Sequence, residues 1–83
     1  MGQEIHRERL IHGTNLIGRT VIVDIVHDDF AAAMLEKYLQ LNHPKAKIVA
    51  MDGYYDYQND LTKMKIWFAS KSEAIAFHLK YHT

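Results

Sequence analysis

Residues 19–26 read Arg-Thr-Val-Ile-Val-Asp-Ile-Val, and this run limits the possible folds more than any other feature of the chain. β-branched side chains at nearly every position favour a pleated strand. Val21, Val23 and Ile25 alternate with Ile22, Asp24 and Val26, so the two sets point to opposite faces. Both rows are largely apolar, which predicts a central strand rather than an edge. Asp24 interrupts the second row, where an unpaired buried carboxylate would be costly. The simplest reading places it on an open sheet face beside Lys63 or Lys65, in a cross-strand ion pair. The alternatives are a charge that specifies a dimer contact and a raised-pKa carboxyl in an enzyme site.

The rest of the chain supplies what such a strand needs to pack against. His27-Asp28-Asp29 precedes a helical stripe of Phe30, Met34, Tyr38 and Leu41, widened by Ala31, Leu35 and Leu39. Asp28 is the predicted N-cap, and Asn42 and Pro44 end the helix. Ala46 to Met51 reads as the next strand. Asp52-Gly53 is either a tight turn or a glycine bulge within a longer strand, and Asn59-Asp60 is a second turn signal. Alternation resumes with Met64, Ile66 and Phe68 against Lys63, Lys65 and Trp67. Ser70 and Glu73 then match a capping box for a closing helix carrying Ala74, Ile75, Phe77, Leu79 and Tyr81. The first 18 residues read less clearly: residues 4–11 fit a polar strand or a short helix, and His12-Gly13-Thr14-Asn15 is a turn signal.

With an N-terminal strand the order is ββαββα, two architectural units without residue-level repetition. The predicted class is α+β: a ferredoxin-like or related split β-α-β sandwich, (β)βαββα in order, with an antiparallel or mixed sheet and both helices on one face. The open face would present Ile22, Asp24, Val26 and Trp67, the expected dimer or partner surface.

Composition narrows the function. The chain has 83 residues, 48% of them hydrophobic, ten basic and ten acidic side chains, and no cysteine. That fits one domain, residues 1–83 with a core in 19–82, and excludes intrinsic disorder, disulfide scaffolds and thiolate chemistry. No segment approaches the roughly 18 apolar residues of a membrane helix, so no membrane partner is expected and a cytoplasmic location is. Zero net charge counts against a protein that coats nucleic acid. A domain of this size buries only roughly 60–65% of its unfolded surface, which makes a homodimer a natural supplement.

Few residues suggest catalysis. His78 and His82 lie four apart on one helical face and could offer two imidazoles to a metal, but no third ligand accompanies them. His27 with Asp24 or Asp28 has the ingredients of a general base and its orienting carboxylate, although a cap explains Asp28 equally well. No phosphate loop or nucleophile elbow is present, so neither an enzyme nor a cofactor is expected. The most unusual stretch is residues 52–60, Asp-Gly-Tyr-Tyr-Asp-Tyr-Gln-Asn-Asp, with three tyrosines, three aspartates and no base. Tyrosine offers stiff contact area with a polar tip. Asp52, Tyr54, Tyr55, Asp56, Tyr57 and Asp60, with Trp67, are therefore the candidate partner-binding residues, and a basic protein surface the candidate partner. The plainer alternative is a solvated hairpin whose tyrosines pack on Trp67. A second reading uses Arg7, Arg9 and Arg19, plus Lys63 and Lys65 with Trp67, Tyr55 and Tyr57 on a sheet, as a platform for RNA or single-stranded DNA.

Residues 63–81, KMKIWFASKSEAIAFHLKY, combine a lysine–apolar strand, a serine cap and a helix. This segment resembles the C-terminal strand–helix of small uncharacterised proteins in tailed bacteriophages. The resemblance implies a short accessory protein, working in the host cytoplasm, that binds and modulates a host or phage component. It brings no site residues.

Overall fold

A computed structural model of the chain describes residues 11–26 and 30–81. The elements are β1 (Ile11–Ile17), β2 (Thr20–Val26), α1 (Ala31–Asn42), β3 (Ile48–Asp56), β4 (Leu61–Phe68) and α2 (Lys71–Tyr81). One four-stranded sheet has the order β1-β2-β4-β3, and each neighbouring pair is antiparallel. β2 and β3 therefore run parallel with β4 between them, and α1 connects them: a split β-α-β unit. The strand order is unchanged when the two ββα halves are exchanged. The topology is thus two-fold about the seam between β2 and β4.

That seam is the core. Val21, Val23 and Ile25 from β2 and Met64, Ile66 and Phe68 from β4 are all 3% exposed or less. They form one cluster with Ile11, with Ala31, Leu35 and Leu39 of α1, and with Ala74, Phe77 and Tyr81 of α2. Both helices thus cover the same sheet face. Each large aliphatic or aromatic side chain buried there contributes about 1.5–3 kcal/mol, so the two central strands supply most of the cohesion. The opposite rows, Ile22 and Asp24 on β2 and Lys63, Lys65 and Trp67 on β4, are only half-buried.

Several expectations are corrected. His12-Gly13-Thr14-Asn15 is not a turn: it lies within β1, with a register irregularity between Ile11 and Gly13. The turn is Gly18-Arg19, closed by Ile17 opposite Thr20. Gly18 has φ +63°, the glycine-first pattern of a type II′ hairpin, which matches the strand twist. Asp52-Gly53 is neither turn nor bulge, because β3 runs straight through it and the irregularity falls between Ile48 and Ala50. Gly53 sits opposite Met64, whose Cε would lie 3.4 Å from an added Cβ.

The helical seam is also rotated from the expected stripe. Phe30 is 70% exposed and Leu41 73% exposed. At ~100° per residue, Leu41 points about 120° away from the middle of the Ala31–Leu35–Leu39 row. Phe30 precedes α1 and offers no side-chain cap, while the expected Asp28 cap, with His27, lies outside the described residues. Ser70 does cap α2, accepting the Glu73 N–H at 3.2 Å. The other half of the box is diverted, because Glu73 Oε1 accepts the Lys47 N–H at 3.3 Å and ties α2 to the segment before β3. Leu79 is 65% exposed, leaving Ala74, Phe77 and Tyr81 as the buried row.

Leu35→Ala empties a fully buried site and is expected to cost about 2–5 kcal/mol in urea unfolding. Leu41→Ala should cost less than about 0.5 kcal/mol. Equal losses would move the seam back to Leu41.

Candidate binding surface: the β3–β4 hairpin and the open sheet face

The register aligns the open face in rows. Thr20, Trp67 and Ala50 form one; Ile22, Lys65 and Asp52 the next; Asp24, Lys63 and Tyr54 the third; Leu61 with Asp56 closes the end. Val26 pairs with Leu61 at that end, and its side chain lies outside the described residues. Asp24 meets Lys63 as the sequence suggested, Nζ to Oδ1 at 2.7 Å, and Asp56 lies 3.8 Å from the same ammonium. A pair this accessible contributes no more than about 1 kcal/mol. Its structural value is that it lets a carboxylate sit in the second row of a central strand. The Asp24 hydrogen bond raises the Lys63 pKa above its ordinary value.

The neighbouring lysine behaves differently. Lys65 is in register with Asp52, yet its Nζ lies 5.5 Å from the centre of the Trp67 ring, within cation–π range. Asp52 is exposed and makes no ion pair among the described residues.

Strand alternation separates the tyrosines. Tyr54 stands on the open face, 43% exposed, four positions along the sheet from the Trp67 row, roughly 13 Å away. Tyr55 points to the helix side, opposite Thr62. Its hydroxyl donates to Asp60, and its ring packs edge-on against Tyr57 at 4.7 Å. Tyr57 is 84% exposed at the tip. Tyr55 and Tyr57 therefore pack on each other, and no ring contact joins any of the three tyrosines to Trp67 among the described residues.

The tip is held by its own carboxylates. Asp56 Oδ1 accepts the Gln58 N–H at 3.0 Å and Oδ2 accepts an Asn59 amide hydrogen at 2.8 Å. These bonds, the Asn59 side chain foremost, lower the Asp56 pKa. Asp60 takes φ +53° to close the turn, a conformation that aspartate tolerates. The hydrogen bond to Asp60 raises the Tyr55 pKa, because the carboxylate disfavours a phenolate beside it.

The other candidates do not converge on this surface. His78 Nδ1 is 2.8 Å from Thr14 Oγ1 and links α2 to β1. His82 lies outside the described residues, as do Arg7, Arg9, His27 and Asp28, and no group of three metal-capable side chains occurs among those described. Asp24 is engaged by Lys63.

One polar cluster escaped the sequence reading. Between the helix C-termini, Tyr81 is 6% exposed, and its hydroxyl meets Tyr38 at 3.0 Å and also His43 Nε2. The His43 ring packs against Phe77 at 5.4 Å. The available signal was two tyrosines on apolar helical stripes, since a buried phenol needs a partner.

The Tyr55 phenol is expected to ionise above its ordinary value of 10.0 in a spectrophotometric titration, and Asp60→Asn to bring it back down. Raised pKa values on Tyr55 and Lys63 contribute stability that is full below their unfolded values and lost as pH rises through the folded ones. The lowered pKa of Asp56 acts on the acid side, its contribution lost as pH falls through the folded value. Lys63→Met should therefore flatten the alkaline limb of a stability–pH profile, and an unchanged limb would contradict this.

The chain matches no protein-family model, no curated protein and no solved structure.

Proposed function

We propose that this chain is a non-enzymatic protein-binding domain whose working surface is the acidic-aromatic β3–β4 hairpin. The observation that carries the reading is Tyr57, which is 84% exposed yet fixed by the ring of Tyr55, itself bonded to Asp60. An exposed aromatic already held in place loses little side-chain freedom on binding. Asp56 and Asp60 flank it in the chain and Asp52 stands further down β3, so the complementary surface is basic. The resemblance of residues 63–81 to tailed-phage proteins supports a role as a short accessory modulator.

The nucleic-acid alternative has less support. The aromatics it needs are divided between two faces, and the open face carries Asp24, Asp52 and Asp56 against Lys63 and Lys65, a balance of −1. A homodimer through the open face belongs to the proposal, favoured by Ile17, 58% exposed, and by half-buried Ile22 and Trp67. The finer fold assignment is also a proposal: ferredoxin-like, with β1 flanking β2 in place of a strand after α2.

The test is quantitative affinity purification from the native host with wild type and a Tyr54→Ser, Tyr57→Ser variant of matching circular dichroism. A partner held by wild type and lost by the variant is expected. Equal recovery would overturn the hairpin reading. Light scattering of wild type and Ile22→Lys tests the homodimer, which predicts a dimer that the lysine dissociates.

A further inference from the structure

β3 lies at the edge of the sheet and, among the described residues, pairs only with β4. Its other side therefore carries backbone N–H and C=O groups that no described strand pairs with. Edge strands are usually guarded by brevity, proline, lysine or a bulge in mid-strand. β3 is nine residues long and contains neither proline nor lysine. Its single irregularity lies near its start, so Ala50 to Asp56 run in unbroken register. This stretch is a regular template.

The two sides flanking that edge differ in chemistry. On the open face stand Asp52, Tyr54 and Asp56. On the helix face, a cleft of about 460 Å³ separates α1 from β3. Leu39, Ala46, Ile48 and Met51 line it, and Glu36 stands among the same lining residues. A strand laid along β3 would send the side chains beside Met51 into that mainly apolar cleft and the intervening ones over the carboxylates.

The chain already contains a strand of this pattern. β4 pairs with the inner side of β3 and places Lys63 and Lys65 on the open face, with Met64, Ile66 and Phe68 in the core. A second copy of β3 is a poor occupant, because antiparallel pairing about the strand centre sets Asp52 against Asp52, and like charges directly opposite repel.

We propose that β3 accepts an extended segment of a partner protein, with lysine or arginine alternating with apolar residues, as a fifth strand. Backbone hydrogen bonds supply the attachment, the cleft selects the apolar residues, and the carboxylates select the basic ones. This rests on the hairpin reading and specifies the form of the basic partner.

The test titrates the isotopically labelled chain with a blocked lysine–valine alternating peptide of about ten residues. The controls are the same peptide N-methylated at alternate backbone nitrogens and an isomer with its lysines in one block. Binding is expected with amide shifts and slowed hydrogen exchange along Ala50–Asp56. Affinity should fall about tenfold or more on N-methylation, with the blocked isomer, and in Asp52→Lys. Asp52 is exposed and makes no ion pair among the described residues, and circular dichroism checks that the variant is folded. Equal binding of the N-methylated peptide, with shifts confined to Tyr57 and its neighbours, would overturn strand addition and leave the hairpin reading intact. If neither basic isomer binds, strand addition falls, and the hairpin reading is judged by the Tyr54, Tyr57 purification alone.

Discussion

The pairing of β2 with β4, from Thr20 opposite Trp67 to Val26 opposite Leu61, determines both faces of the sheet. On one side it sets Val21, Val23 and Ile25 beside Ile66 and Met64, and two helices close over them. On the other it brings Asp24 to Lys63. A shift of a single residue would exchange the faces of one strand, putting a carboxylate in the core and a valine in water. The ion pair adds little energy, but its cost in the wrong register is large. It therefore acts chiefly on which alignment forms.

The chain's five tyrosines divide between two environments. Tyr38 and Tyr81 meet at the helix C-termini, and their hydroxyls and His43 satisfy one another in a region that would otherwise bury an unpartnered phenol. Tyr54, Tyr55 and Tyr57 occupy the hairpin, where Asp60 ties down Tyr55 and the Tyr55 ring in turn holds Tyr57. The first group knits the helices together, and the second remains available outside. The same residue type thus serves cohesion and recognition, and the distinction depends on what each ring touches.

How much was legible follows from how local each signal was. β2, β4, α1 and the Ser70 cap rest on patterns within about ten residues and are present where expected. Asp24 with Lys63 was legible because alternation on two strands left a carboxylate and a lysine on the same open face. The Gly18 turn was missed because His12-Gly13-Thr14-Asn15 carries the stronger local turn composition, while pairing with β2 holds that segment in a strand. The helical seam was misplaced because Phe30 and Leu41 are as apolar as the residues that pack, and only the direction of the sheet separates them. Tyr54, Tyr55 and Tyr57 read as one group because strand alternation could not be applied until Gly53 was known to lie inside β3. The His43 cluster joins residues 38 positions apart, a distance no local pattern reaches.

The two-fold topology has a kinetic consequence. In each half the hairpin pairings are close in sequence and inexpensive in loop closure, whereas α2 packs mainly on β1 and β2 of the other half. The seam between β2 and β4 is the long-range step, and the apolar rows of both halves are covered only when it forms. The turns are then formed before the seam is complete, so substitutions there should slow folding, whereas those in the seam should divide their effect between folding and unfolding.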